Sequence, residues 1–276
     1  MTNPLIVGDA TVHFKSSTQM SELTDNSVNL VITSPPYWSL KDYGVENQIG
    51  LGSGTFDSYL GELNKVWSEC VRTLAPDGKM CINIMPILLT GAHSSHGRRE
   101  TKLLLGEIDE FMRSTGLMFQ FGLYIWDKRK IARFSSFGSY PYPPNLFTTF
   151  PYEWITVFSK AGKRDKVSAD IKAKSKLTVN EWQEWAINSI WEMQPAKSKS
   201  EKHPAPFPLE MPRRLIKLHS FWGDLVMDPF LGTGTTALAA LNLSRRAVGY
   251  ELNDGYRELI SRKLSGAKLE LPLENA

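Results

Sequence analysis

The chain has 276 residues, 42 % of them hydrophobic, which is enough to bury one substantial core, and a formal net charge of +3, which is compatible with a nucleic-acid partner without requiring one. Its two cysteines, Cys70 and Cys81, cannot supply a disulfide framework and do not have metal-ligand spacing, so no metal site is predicted. We expect a cytoplasmic protein without a membrane partner, because the sequence contains no targeting segment and no apolar run long enough to span a bilayer.

Short apolar runs that end in small or turn-forming residues recur along the chain, and they predict buried strands. They lie at 5–10, 28–37, 79–85, 121–126, 154–158, 225–230 and 247–252. Helical patterns lie between several of them, at 58–74, which an Ala-Pro-Asp-Gly turn follows, and at 235–243. Strands and helices in alternation predict an α/β fold, a doubly wound and mostly parallel sheet covered on both faces.

Two polar, basic segments interrupt this alternation. Residues 160–176 carry seven basic and two acidic side chains and few apolar ones, so we predict a loop or a mobile arm over 161–176. Residues 90–101 are also polar and basic, with Gly91 and Gly97 as flexible points. Neither segment is expected to belong to the core.

A glycine-containing turn lies between the strand predicted at 225–230 and the helix predicted at 235–243. In such a position glycines let a ligand approach the backbone, and the helix N-terminus offers unpaired N–H groups. The next strand ends on Glu251, the expected place for a carboxylate that accepts hydrogen bonds from ribose hydroxyls. A tight turn without a ligand is the alternative interpretation of the glycines alone. The candidate cofactor-binding residues here are Asp228, Pro229, Phe230, Gly232, Gly234, Thr235, Thr236 and Glu251.

A second motif, Ser34-Pro35-Pro36-Tyr37, follows the strand predicted at 28–37. The two prolines impose an extended, rigid path, which leaves nearby carbonyl groups able to accept hydrogen bonds beside the Ser34 hydroxyl. Such acceptors could hold an aromatic amino group, aim its lone pair at an electrophile and stabilise the positive charge that develops on nitrogen. The Tyr37 ring could cover a planar base. The alternative is a proline-stiffened end of a strand with a buried tyrosine.

Together the two motifs resemble those of the DNA amino-methyltransferases, whose catalytic signature is (Asp/Asn/Ser)-Pro-Pro-(Tyr/Phe). The catalytic tetrapeptide precedes the cofactor motif, and this permuted order is similar to that of the beta class. The resemblance implies the S-adenosylmethionine-dependent methyltransferase fold, catalytic roles for Ser34, Pro35, Pro36 and Tyr37, and S-adenosylmethionine as cofactor. Serine at the first position, followed by Tyr37 and Trp38, is the form usual among N4-cytosine enzymes, whereas N6-adenine enzymes usually carry aspartate there.

The resemblance covers nearly the whole chain outside 86–120 and 161–190. It implies that Asp9 and Ala10, in the Gly-Asp-Ala at 8–10, contact the adenine of the cofactor, and that Phe207, within 203–216, borders its methionine part. Residues 124–128 and 152–160 resemble a pair of late strands of the same fold. Without the resemblance, a turn residue is the favoured explanation of Asp9, and Phe207 is equally well explained as a core residue.

The resemblance also implies double-stranded DNA as the partner, with a target base that must leave the duplex. Lys128, Arg129, Lys130 and Arg133 form a basic stretch after a predicted strand and are candidate phosphate contacts, although a solvated charged face is the alternative. We predict one catalytic domain over 1–276, with target-recognition and DNA-contact segments at about 86–101 and 127–200.

The function that these inferences favour is site-specific methylation of N4 of cytosine within a restriction-modification system, with a restriction endonuclease as possible partner. Three alternatives stay open. The chain could methylate N6 of adenine, since both bases present an amino group beside a ring nitrogen. It could be an inactive, methyltransferase-like DNA-binding protein, against which both motifs argue because they are intact. A nucleotide-dependent dehydrogenase is disfavoured because the glycine turn lacks GxGxxG spacing.

Overall fold

The computed structural model describes residues 3–38, 44–51, 54–89, 91, 94, 96–130, 139–145, 148–194 and 207–270. Its strands are β1 (Leu5–Val7), β2 (Ala10–His13), β3 (Val28–Thr33), β4 (Leu74–Ile84), β5 (Ile87–Leu89), β6 (Glu100–Lys102), β7 (Met118–Asp127), β8 (Tyr152–Lys160), β9 (Ile190–Glu192), β10 (Leu225–Asp228) and β11 (Arg246–Tyr250). Its helices are α1 (Phe56–Thr73), α2 (Leu104–Ser114), α3 (Ala169–Lys174), α4 (Val179–Glu181), α5 (Glu210–His219), α6 (Thr235–Asn242) and α7 (Arg257–Ser265). A π-helical turn, Trp182–Ile187, continues α4, and a 3₁₀ turn, Asp254–Tyr256, precedes α7.

Nine strands form the main sheet in the order β1-β2-β11-β10-β3-β4-β8-β7-β9, and β5 and β6 form a separate hairpin. Strands β2, β11, β10, β3 and β4 are all parallel, whereas β1 and β8 run against their neighbours. The predicted α/β fold with a mostly parallel sheet is confirmed. The paired strands implied at 124–128 and 152–160 are β7 and β8, in which Ile125 lies opposite Trp154.

Helices cover both faces of this sheet. On one face α1 buries Tyr59, Leu63 and Trp67, and α2 adds Ile108 to the same cluster. The apolar positions of α1 recur at three- and four-residue spacing, and the Thr55 side chain caps its first turn by accepting from the backbone N–H of Ser58. On the other face α5, α6 and α7 pack against β2, β3, β10 and β11. The sheet therefore lies between two apolar layers.

Local differences from the predicted elements have identifiable causes. The first apolar run is two strands, because Gly8 (φ +55°) and Asp9 turn the chain between β1 and β2. The predicted Ala-Pro-Asp-Gly turn lies within β4 and shifts its register against β3. Val28 lies opposite Leu74, whereas Leu30 lies opposite Lys79.

The loop predicted over 161–176 contains α3, which begins where the Ser168 side chain accepts from the backbone N–H of Ile171. Arg164 is fixed by an ion pair with buried Asp224. Among the described residues, none of the helices is long and apolar enough to cross a membrane.

Candidate active site

The carboxyl ends of β2, β11, β10 and β3 meet at one edge of the sheet, where an open cleft lies. The sequence-predicted residues that line it come from four places in the chain. They are Ser34, Pro35, Pro36, Tyr37, Phe207, Pro229, Phe230, Gly232, Thr235 and Glu251.

The glycine turn forms the floor of the cleft. Gly232 adopts a left-handed conformation (φ +54°), and its N–H donates to Oε2 of Glu251 at 2.8 Å. Gly234, also left-handed (φ +86°), precedes α6 and does not line the cleft. A Cβ at Gly234 would stand 3.5 Å from Ile260, an ordinary contact, so this glycine is required by the backbone conformation of the turn and not by the approach of a ligand.

Glu251 is the mostly buried acid of the cleft. Burial raises the pKa of its carboxyl group to about 7, although hydrogen bonds from the backbone N–H groups of Asn253 and Gly232 lower it. Asn253 donates to Oε1 at 2.7 Å, and the backbone of Leu252 also donates to this carboxylate. A carboxylate has about four acceptor positions, so a ribose hydroxyl can still donate to Glu251.

Asp228 lies beneath the turn and does not line the cleft. It is 1 % exposed and accepts from Thr33 Oγ1 at 2.7 Å, Thr236 Oγ1 at 2.6 Å and the N–H of Phe230 at 3.0 Å. Burial raises the pKa of its carboxyl group to about 6 in spite of these donors. The predicted contact of Asp228 and Thr236 with a cofactor is corrected accordingly: they tie β3 to the glycine turn.

The tetrapeptide Ser34–Tyr37 follows β3 directly. Ser34 Oγ lies 3.3 Å from the hydroxyl of Tyr37, and both side chains line the cleft. Tyr59 of α1 donates its hydroxyl to the carbonyl oxygen of Pro36 at 2.7 Å, which fixes the proline segment against the helix. The Tyr37 side chain is largely buried, at 7 % exposed, so only part of its ring is available to a ligand.

Asp9 and Ala10 do not reach the cleft. Ala10 begins β2 opposite Ala247 near the start of β11, and the carbonyl of Asp9 accepts from the N–H of Ala247 at 2.9 Å. Since β2 and β11 are parallel, this is the amino edge of the sheet, opposite the edge that carries Glu251. The predicted adenine contacts at Asp9 and Ala10 are therefore wrong. Strand β2 begins at Ala10, and the residues that reach the cleft lie after its last residue, His13.

Several cleft residues were not predicted from the sequence. Residues 15–17 follow β2 at the carboxyl edge, where the prediction placed residues 8–10. The alternation of apolar Ala10, Val12 and Phe14 was the sequence signal that the strand continues to that point. The other lining residues that were not predicted are Val45, Asn47, Gln48, Ile49, Leu231, Thr233, Tyr250, Leu252 and Tyr256.

The predicted DNA-contact residues differ in availability. The Lys128 side chain is only 17 % exposed and forms an ion pair with Glu153. It therefore stabilises the fold and is not available to a phosphate. Arg129 and Lys130 are 71 % and 75 % exposed, although they pair with Asp127 and Glu192. Strand β7 ends at the same edge of the sheet as β3, so Arg129 and Lys130, which follow β7, lie on the cleft side. Arg133 lies outside the described residues.

The cleft thus combines a backbone turn and a carboxylate suited to a nucleoside with a hydroxyl and a proline segment suited to an amino group. The buried acid Asp228 links the two halves, since Thr33 adjoins Ser34 and Phe230 adjoins the glycine turn. The two ligands would meet above β10 and β3, which are adjacent in the sheet. Such an arrangement can bring two reactants together and orient them for transfer.

Comparison with known proteins gives a consistent result. A family model described as DNA methylase, of the N6 and N4 methyltransferases, matches residues 28–262. The Type II methyltransferase M.MthZI of Methanothermobacter thermautotrophicus is 30 % identical over 92 % of this chain and 76 % of its own. M.MjaI of Methanocaldococcus jannaschii, also a Type II methyltransferase, is 31 % identical over 91 % of this chain and 89 % of its own.

Solved structures agree with this result. A Thermus thermophilus protein described as a DNA modification methylase, solved with S-adenosyl-L-methionine, is 30 % identical, with a TM-score of 0.72 over 94 % of this chain and 98 % of its own. The cytosine-N4-specific PvuII DNA methyltransferase shares the fold at 18 % identity, with a TM-score of 0.62 over 95 % of this chain and 94 % of its own.

Proposed function

The chain belongs to the DNA methylase family and uses S-adenosylmethionine, and on that premise we propose that it methylates N4 of cytosine in double-stranded DNA. The observation that carries the proposal is the placement of Ser34 in the same cleft as Gly232 and Glu251. A hydroxyl that can hold an amino group and a turn that can hold a nucleoside therefore line the same cleft.

The cofactor residues are proposed from the chemistry of the cleft. Glu251 accepts from the ribose hydroxyls, the backbone at Gly232 allows close approach, and Phe207 borders the methionine part of S-adenosylmethionine. Pro229, Phe230 and Thr235 complete the wall around the turn. When bound, the cofactor supplies a methyl group on a positively charged sulfur, which an amino nitrogen can attack.

The Ser34 hydroxyl and the neighbouring backbone carbonyls act on the target amino group. An amino group on an aromatic ring is a poor nucleophile because its lone pair is delocalised into the ring. Acceptors on its hydrogens favour the pyramidal nitrogen and stabilise the positive charge that develops there, so the site works by orientation and electrostatics. Transfer would form a nitrogen–carbon bond and break the carbon–sulfur bond, and the nitrogen would release one proton.

The choice of cytosine rests on the serine at position 34, followed by Tyr37 and Trp38. N6-adenine methylation is the second candidate, since Ser34 could accept from either amino group. The target base must be extruded to reach the cleft, and the exposed part of the Tyr37 ring would contact its face.

The relatives are named Type II methyltransferases, and we extend that role to this chain. It would modify a specific site as part of a restriction-modification system, with a cognate restriction endonuclease as partner. We propose one catalytic domain over 1–276 and DNA contacts within about 86–101 and 127–200. Arg129 and Lys130 are the described basic residues of the predicted stretch that are exposed enough for phosphates.

Nucleoside analysis tests the proposal. Unmethylated DNA is incubated with the protein and S-adenosylmethionine carrying a deuterated methyl group, digested, and analysed by mass spectrometry. We expect labelled N4-methylcytosine. Labelled N6-methyladenine would retain the reaction class and refute the base assignment. Labelled C5-methylcytosine would refute the mechanism, because methylation of carbon normally requires a nucleophile that residues 34–37 do not contain.

A further inference from the structure

Lys263, in the last turn of α7, holds the hydroxyl groups of two threonines that line the cleft. Its Nζ lies 3.0 Å from Oγ1 of Thr235 and 3.3 Å from Oγ1 of Thr233. Both threonines are largely buried, and both belong to the wall that the glycine turn forms. Lys263 stands behind this wall and does not line the cleft itself. Any effect that it has on a ligand therefore acts through the threonines.

The packing of α7 against the turn fixes the position of Lys263. Ile260 and Leu264 are buried, and both lie next to the place that a side chain on Gly234 would occupy. Residues three or four positions apart share one face of a helix, so Ile260, Lys263 and Leu264 face the turn together. The contact that joins α7 to the turn therefore also holds the ammonium group of Lys263 beside the threonines.

Positive charge is concentrated at this wall of the cleft. An ammonium group can only donate, so Oγ1 of Thr235 accepts from Lys263 and the Thr235 hydroxyl hydrogen is directed elsewhere. A hydroxyl that accepts from a cation is polarised and becomes a better donor. Thr235 also begins α6, whose first turn contains no acidic residue and whose N-terminus carries a partial positive charge. The wall therefore favours an anionic group.

The cofactor has its one anionic group, the α-carboxylate, on the amino-acid part. Strands β11, β10 and β3 are neighbours in the sheet, and at their carboxyl ends they carry Glu251, the glycine turn and Ser34 in that order. With the ribose on Glu251 and the methyl group directed to Ser34, the cofactor crosses the turn. The amino-acid part, which is joined to the sulfur, then lies against the wall that contains Thr235.

We propose that Lys263 is a positioning residue, which acts through Thr235 to make this wall bind the α-carboxylate of S-adenosylmethionine. The inference rests on the proposed placement of the cofactor and names the residues that hold its amino-acid part. Glu251 then recognises the nucleoside, whereas Lys263 and Thr235 distinguish the intact cofactor from a nucleoside that has no carboxylate.

The test compares two ligands by calorimetry. S-adenosylhomocysteine carries the α-carboxylate, whereas 5′-methylthioadenosine has the same adenosine and sulfur without the amino-acid part, and the wild-type protein should bind the former more tightly. Lys263→Gln keeps a hydrogen-bond donor and loses the charge. It should raise the dissociation constant of S-adenosylhomocysteine about 5- to 30-fold, as for the loss of one charge attraction near a protein surface. Its affinity for 5′-methylthioadenosine should stay within about twofold.

Three further variants separate charge from structure. Lys263→Arg keeps the charge and should bind S-adenosylhomocysteine within about threefold of the wild-type affinity. Arg262→Gln is the matched control, because it removes one positive charge from an exposed position in the same helical turn, and both affinities should stay within about twofold. Thr235→Val removes the hydroxyl group. Combined with Lys263→Gln, it should weaken binding of S-adenosylhomocysteine by less than the product of the two single effects, because Lys263 acts through Thr235.

Equal weakening of both ligands by Lys263→Gln would show that Lys263 only supports the turn, and it would overturn the inference. So would unchanged binding of S-adenosylhomocysteine by this variant, or a wild-type protein that binds the two ligands equally. Failure of the proposed function is a different result, since it would appear in the nucleoside analysis of methylated DNA, which does not enter this comparison.

Discussion

Lowering the pH from about 8 to about 6 should weaken binding of S-adenosylhomocysteine to this protein through Glu251. Burial raises the pKa of the Glu251 carboxyl group to about 7 in the structure without ligand. Ribose hydroxyls donate to the ionised carboxylate, so binding favours the ionised form and lowers its pKa. Affinity is therefore full above pH 7 and is lost as the pH falls through that value.

The expected magnitude follows from the fraction of ionised Glu251. With a pKa of about 7, roughly nine-tenths of the free protein is ionised at pH 8 and roughly one-tenth at pH 6. If only the ionised form binds well, the dissociation constant rises about tenfold, or about 1.4 kcal/mol. In Glu251→Gln the pH dependence disappears. The variant also binds more weakly at pH 8, because its amide nitrogen would face the backbone N–H of Gly232 or Asn253.

Isothermal titration calorimetry across this pH range is the assay. Asp228→Asn is the control, because burial raises the pKa of Asp228 to about 6 and a second buried acid could otherwise explain the result. That variant should keep the dependence between pH 6 and 8. A wild-type affinity that does not change with pH, or an equal change in Glu251→Gln, would refute this role for Glu251.

Three further predictions concern other parts of the cleft and its surroundings. Ser34→Ala should lower kcat by about 10- to 1000-fold and leave calorimetric binding of S-adenosylhomocysteine within about twofold; an unchanged kcat would remove Ser34 from the mechanism. Asp228→Ala should lower the free energy of unfolding in urea by about 1–3 kcal/mol more than Asp228→Asn, because it leaves the Thr33, Thr236 and Phe230 donors unpaired, and equal losses would contradict the network. Arg129→Ala and Lys130→Ala should each reduce the salt dependence of DNA binding by about one unit of slope, whereas Lys128→Ala should lower stability with the slope unchanged; the reverse pattern would show that Lys128 is the phosphate contact.

The parts of the site that the sequence predicts are those in which a local motif carries its own geometry. Pro35 and Pro36 constrain the backbone by themselves, and Gly232 permits the left-handed turn whatever surrounds it. Both motifs also follow strongly apolar strands, so their place at the carboxyl edge could be predicted. The fold class follows in the same way from the alternation of strands and helices.

The rest depends on pairing between distant residues. Asp9 was misplaced because its position depends on the turn that separates β1 from β2, and polar residues 15–17 carry no pattern of their own. Lys128 lies in a basic run, yet its ion pair with Glu153 comes from strands that meet only in the folded sheet.

A crystal structure with S-adenosylhomocysteine and a duplex containing the methylated site would show whether Ser34 and Glu251 act on the two reactants in one cleft. We expect an extruded base whose exocyclic nitrogen lies within hydrogen-bond distance of Ser34 Oγ and faces the sulfur, with the ribose hydroxyls on Glu251. A ring carbon facing the sulfur, or a ligand bound away from the glycine turn, would contradict it.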